Sequence, residues 1–190
     1  MARIKTAWFN FSTPALSIRA IVLCAPFMVF AADNEELKNV HQELADKFDE
    51  VSHMSADQLD RLPSDQVVLI DVREVEEYAV SHLENAIQVD PDISNRKFMQ
   101  RFESSVKDKI VIFYCSVGYR SSDLAEDVQD RLIQSGARAV YNLKQGIFGW
   151  HNAEMPVVNE AGNTARIHPY DDYWGRLINR RGEVSYKLVD

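Results

Sequence analysis

Ile110-Val111-Ile112-Phe113-Tyr114-Cys115-Ser116-Val117-Gly118-Tyr119-Arg120-Ser121 is the stretch that decides the fold. Its first five residues form an unbroken apolar run with three β-branched members. Such a run suits a strand covered on both faces. Gly118 permits the tight turn that follows. From Ser121 to Gln134 the period changes: Leu124, Val128, Leu132 and Ile133 fall on one face, and Gly136 stands as a C-terminal stop. A buried strand feeding a helix through a short loop is the unit of a parallel sheet, and ligands collect at the C-terminal ends of such strands.

Outward from this unit the pattern repeats. Val67–Ile70, Ala86–Val89 and Ala139–Leu143 read as further short buried strands. Glu74–Ser81 and Asn95–Val106 read as helices, the second with Phe98, Met99, Phe102 and Val106 inward. Residues 33–51 place Leu37, Val40, Leu44, Phe48 and Val51 on one helical face, and Ser55 can cap a short helix that runs to Leu62 before Pro63. The expectation is an α/β fold of three layers, a central parallel sheet flanked by helices. The divisions are an N-terminal helix over 32–51, a domain over 52–158, and a linker (Asn159–Asn163) and aromatic-rich tail over 159–190. In the tail, Tyr170, Tyr173, Trp174 and Leu177 sit at helical spacing and must pack on this domain or on a protein partner.

Composition narrows the function. The chain has 190 residues, 46% of them hydrophobic, and a net charge of −8, as for one folded domain with appendages. No basic stripe suggests nucleic-acid binding. The histidines lack ligand spacing, so no metal is expected, and no glycine-rich phosphate motif suggests a nucleotide cofactor. Residues 1–31 hold Arg3, Lys5 and Arg19 and no acid, then an apolar run of about 13 residues ending Val29-Phe30-Ala31. This describes a signal peptide cut near Ala31, and hence a periplasmic or secreted protein with no stable membrane insertion once processed. An uncleaved anchor is the alternative, though about 20 residues are needed to span a bilayer. Without the leader the basic count falls from 21 to 18 against 29 acids, a net −11. Cys24 leaves with it, so Cys115 stands alone, either inert or reactive.

Cys115 lies at the strand–loop–helix junction. The loop N–H groups and the helix N-terminus there favour a thiolate, and Arg120 adds a fixed cation. An inert strand-end cysteine in an ordinary loop is the plain alternative. Four ordered segments go further. They are Asp71-Val72-Arg73-Glu74 with Glu77-Tyr78, Ser81-His82-Leu83-Glu84-Asn85-Ala86-Ile87, Cys115 to Ser121, and Leu143-Lys144-Gln145-Gly146-Ile147-Phe148-Gly149-Trp150. Together they resemble the rhodanese-like sulfurtransferase family over about half the chain. Ser116 stands where many active members carry Arg; Ser81, Asn85 and Ile147 replace glycines.

The resemblance implies a thiosulfate sulfurtransferase with Cys115 as nucleophile and Ser116, Val117, Gly118, Tyr119, Arg120 and Ser121 as the substrate-binding loop. Asp71 and Arg73 would be a structural pair beside it. Thiosulfate or a persulfide would donate sulfur and a thiol or cyanide would accept it. A non-catalytic module of the same fold, docking a partner through its tail, is one alternative. A cysteine phosphatase or arsenate-type reductase is another, disfavoured because those enzymes place Arg six positions after Cys and Arg120 lies five after Cys115.

Overall fold

The computed structural model describes residues 34–187; the expected leader lies outside the described residues. Seven strands and seven helices follow in chain order: α1 Glu35–Lys47, β1 His53–Met54, α2 Ala56–Asp60, β2 Val67–Asp71, α3 Val75–Val80, β3 Ile87–Gln88, α4 Asn95–Phe102, β4 Ile110–Tyr114, α5 Tyr119–Gln134, β5 Ala139–Leu143, α6 Gly146–Asn152, β6 Val157–Asn159, β7 Gly162–Thr164 and α7 Asp172–Gly175. Five strands form one parallel sheet in the order β1-β5-β4-β2-β3, so the apolar run of β4 lies at its centre.

The alternation along β4 divides the core. Val111 and Phe113 pack with Phe98, Met99 and Phe102 of α4 and Leu124, Val128 and Leu132 of α5. Ile112 and Tyr114 face the other side, against Leu59 of α2 and Ile147, Phe148 and Trp150 of α6. Helices therefore cover both faces of the sheet, the expected three layers.

The boundaries show which local forces prevail. Asn34 caps α1 by accepting the Leu37 N–H, and Ser55 and Gln58 form a reciprocal capping box on α2. The expected linker is instead a hairpin: β6 and β7 pair antiparallel, and the Ala161 N–H donates to Asn159 Oδ1 at the turn. The tail does not form one helical stripe. Tyr170 has φ +67°, a left-handed conformation that a helix cannot include, so α7 begins only at Asp172. The tail instead packs on its own domain: Ile167, Leu177 and Ile178 are buried with the α6 side of the core. Asn34 and Asn152 both donate to the Leu177 carbonyl, and Arg176 pairs with Glu36. Among the described residues no helix is long and apolar enough to cross a membrane.

Candidate active site

Cys115 follows the last residue of β4 and is only 1% exposed. Its surroundings are made by backbone. The chain turns through Gly118 at φ +107°, and the Gly118 N–H donates to Cys115 Sγ at 3.2 Å. The carbonyls of Cys115 and Ser116 are drawn the other way. They accept the Ile147 and Phe148 N–H groups at 2.9 and 3.0 Å, at the start of α6. Gly146 makes this approach feasible, because a Cβ there would lie 2.4 Å from the Cys115 carbonyl oxygen and 2.6 Å from that of Ser116. Asn142, near the end of β5, holds the far side of the loop by donating to the Gly118 carbonyl and to Ser122 Oγ. With its carbonyls engaged behind it, the loop presents N–H to the sulfur, an arrangement that suits negative charge there.

Beside the loop lies an ion pair. Arg120 donates through both terminal nitrogens to Glu77 of α3, at 2.8 and 3.0 Å, and to Ser116 Oγ at 3.1 Å. Ser116 donates in turn to Glu77 Oε1 at 2.8 Å. Burial raises the Glu77 carboxyl, but the Arg120 bonds outweigh it and hold Glu77 below the usual range. Burial disfavours the Arg120 cation as well, yet its bonds to Glu77 and the neighbouring Cys115 sulfur hold it more firmly protonated than usual.

Asp71 and Arg73 form a second, fully buried pair at 2.8 and 2.7 Å, as a structural role requires. Arg73 also donates to the Ser81 carbonyl, tying the end of β2 to the end of α3. Its guanidinium lies 5.7 Å from the Tyr114 ring centroid, just before Cys115.

A cavity of about 160 Å³ opens above the sulfur. Cys115, Ser116, Val117, Tyr119 and Arg120 of the loop and helix line it together with Tyr170 and Trp174 of the tail, which wall it from outside the loop. The Tyr170 ring lies 4.9 Å from the Arg120 guanidinium. Lys47 of α1 bonds the Tyr119 hydroxyl and sits 4.2 Å from that ring's centroid.

The expected loop thus divides by role. Cys115, Ser116, Val117, Tyr119 and Arg120 line the cavity. Gly118 is not part of the lining and acts through its N–H. Ser121 does not line the cavity: it is fully buried in the first turn of α5, and its hydroxyl has no partner among the described residues. Ser116 and Arg120 point first to Glu77, to which the sequence motif alone assigns no role. Glu77 lies in an acidic stretch that looks like a solvated face, so nothing local marked it. Asn142 carried a signal, a polar residue inside an apolar strand run. The helical spacing of Tyr170 and Trp174 predicts packing on the domain or on a partner, but sequence cannot show which domain face a tail returns to.

Comparison with known proteins shows the family. A family model described as a rhodanese-like domain matches residues 55–153. The chain belongs to the rhodanese-like family. It is 29% identical over 103 residues to the thiosulfate sulfurtransferase GlpE of Coxiella burnetii, across 54% of this chain and 87% of that protein. It is 30% identical over 98 residues to the tRNA uridine(34) hydroxylase of Pectobacterium carotovorum, across 50% of this chain but 26% of that protein. The crystal structure of a thiosulfate sulfurtransferase from Pseudomonas aeruginosa superposes with a TM-score of 0.52 at 18% identity, over 78% of this chain and 27% of that one. This last likeness concerns the fold. The chain spans about a quarter of the hydroxylase and of the Pseudomonas protein. The tail that walls the rhodanese-like cavity lies beyond the matched residues 55–153.

Proposed function

We propose that the chain is a sulfurtransferase that carries sulfane sulfur on Cys115 as a persulfide. The observation that carries this reading is the cradle itself. The Gly118 N–H already donates to Sγ, and the loop carbonyls that would repel an anion are bound at the start of α6. The Cys115 thiolate attacks the outer sulfur of a donor. The donor's S–S bond breaks, its electron pair leaves with the departing group, and Cys115 keeps the sulfur. An acceptor thiolate or cyanide then attacks that sulfur and restores the cysteine, a covalent two-stage exchange. The loop N–H groups hold the persulfide anion as an oxyanion hole holds oxygen. The likeness to GlpE of Coxiella burnetii, named a thiosulfate sulfurtransferase, supports the same chemistry.

Intact mass after exposure to thiosulfate or to an organic persulfide tests the reading. One added sulfur, removed by cyanide and absent from Cys115→Ser, is the expected result. No added sulfur from either donor would leave the fold as a non-catalytic module. The charge asymmetry of residues 1–31 supports export of the processed chain, and N-terminal sequencing of protein from its native compartment is the measurement: a start near Ala32 is expected, an intact Met1 in a cytosolic fraction opposes it.

A further inference from the structure

The tail wall gives the cavity a chemistry that the loop alone does not. Thiosulfate is a compact dianion. A site that binds it needs a cation with donors free for the sulfonate oxygens. The cation in the cavity lining is Arg120, and the fork of its guanidinium already grips Glu77. Glu77 cancels its charge, Ser116 turns its hydroxyl to the same carboxylate, and Tyr170 stands beside the guanidinium. The remaining lining is apolar or aromatic: Val117, Tyr119, Tyr170 and Trp174. A doubly charged donor entering here meets a cation whose charge Glu77 already offsets, so its lost hydration is poorly replaced. An organic chain gains contact with aromatic faces.

The wall is also fixed in place. Tyr170 holds its left-handed backbone because its N–H donates to His168 Nδ1 at 3.0 Å, and His168 is buried against the Tyr186 ring. A tyrosine kept in that conformation is strained and persists only where its surroundings impose it. Trp174 is secured from below, since Leu177 and Ile178 sit in the core one turn later and the Leu177 N–H donates to the Trp174 carbonyl. The stripe is therefore anchored through one set of residues and presented through another.

We propose that Tyr170 and Trp174 are specificity-determining residues that make the Cys115 cavity select an organic persulfide, R–S–SH with an uncharged apolar R group, over inorganic thiosulfate. This rests on the sulfur-carrying role of Cys115. The balanced step is Cys115–S⁻ plus R–S–SH giving Cys115–S–SH plus R–S⁻. The Cys115–sulfur bond forms, the donor S–S bond breaks, and its electron pair departs with R–S⁻, which then takes a proton. No oxidant or reductant is consumed. The R group occupies the space between Tyr119, Tyr170 and Trp174 while the terminal sulfur reaches Cys115.

The test is the rate of sulfur loading on Cys115, followed by intact mass, with benzyl persulfide and with thiosulfate as donors. The wild-type chain is compared with Tyr170→Ala and with Tyr170→Ala/Trp174→Ala. Wild type should favour benzyl persulfide by at least about tenfold in kcat/KM, and the ratio should fall about tenfold in the double variant, chiefly through the KM for the organic donor. Tyr170 is 45% exposed, so the single variant keeps the fold and should move the ratio in the same direction if the double variant is unstable. A wild-type preference for thiosulfate, or a ratio unmoved by folded variants, overturns the selective wall while leaving sulfur carriage intact. Loading from neither donor overturns the sulfur reading itself, and this inference with it.

Discussion

Arg120 and Glu77 bind each other through two N–H···O bonds, one end on the helix that follows Cys115 and the other on α3. The pair joins elements 43 residues apart and sets how much positive charge the cavity offers. The sequence places Arg120 in the expected substrate-binding loop as a fixed cation. In the structure it is first a partner of Glu77.

Removing that partner has two consequences. Glu77→Gln leaves the half-buried Arg120 cation uncompensated, and stability should fall by about 2–3 kcal/mol in urea denaturation, the lower end for a broken buried pair because Arg120 keeps some solvent contact. The freed guanidinium should at the same time improve thiosulfate kcat/KM relative to benzyl persulfide. An unchanged donor ratio in a folded Glu77→Gln protein would show that Arg120 does not meet the donor.

Cys115→Ser should abolish sulfur loading and leave the melting temperature within a few degrees. The sequence places this residue at a loop mouth; the structure buries it, so tolerance must come from the site rather than from exposure. A serine hydroxyl can accept the Gly118 N–H in place of Sγ, and no buried donor is orphaned. Residual cyanide-labile sulfur on the variant would move the nucleophile elsewhere.

Gly146→Ala separates the cradle from the general packing of α6. The added Cβ meets backbone oxygens at 2.4 and 2.6 Å, which no rotamer change can relieve, and φ is +57°. A loss of about 3 kcal/mol or more is expected, with loading by either donor reduced far more than twofold. Gly182→Ala is the control: a Cβ there meets nothing within 4 Å, so a change of less than about 0.5 kcal/mol is expected. A fully active Gly146→Ala would mean that the loop carbonyls need not be held.

The sequence exposed the elements whose signal is local. Ile110–Tyr114 and Ala139–Leu143 are strands with the expected limits, because long apolar runs leave few other solutions. β1 escaped notice because His53-Met54 is two residues long and pairs only through register with Asn142 and Leu143. α6 escaped because Gly146 and Gly149 are poor helix formers, and its first turn is held by bonds to the Cys115 loop. The site followed the same division. Cys115, Arg120 and the Asp71–Arg73 pair were legible from spacing and motif. Glu77 as the partner of Arg120 and Tyr170 and Trp174 as a wall depend on which surfaces meet, which spacing does not encode.

The tail's anchorage can be measured apart from its chemistry. Leu177 is 1% exposed within the α6-side core, and its carbonyl accepts from Asn34 and Asn152. Leu177→Ala should cost about 2–4 kcal/mol in thermal or urea unfolding. Deleting residues 164–190 should lower the melting temperature further in the isolated protein. A truncated chain as stable as the full one would mean that the tail does not hold to its domain.

The last prediction concerns acid. His41 of α1 and His53 of β1 meet edge to face with ring centroids 4.9 Å apart, and three of their four ring nitrogens are buried without a partner among the described residues. Burial, then each other's charge and that of Lys144, lower His41 from 6.5 to about 4, while burial and Lys144 lower His53. A lowered histidine binds protons more readily in the unfolded chain. Its contribution to stability is therefore complete above pH 6.5 and is lost as pH falls from there toward 4. The full depression of His41 corresponds to roughly 3 kcal/mol, and water reaching part of the ring reduces this to on the order of 2 kcal/mol. Glu77, held low by Arg120, adds to the decline as pH falls through the ordinary carboxylate range. Unfolding free energy measured by urea from pH 7 to 4.5 should thus fall more steeply in the wild type than in His41→Gln/His53→Gln, whose remaining slope comes from His151 and His168, both also lowered by burial. Equal slopes in the two proteins would place the acid sensitivity in other groups and show that the histidine pair is not what fastens α1 to the sheet edge at neutral pH.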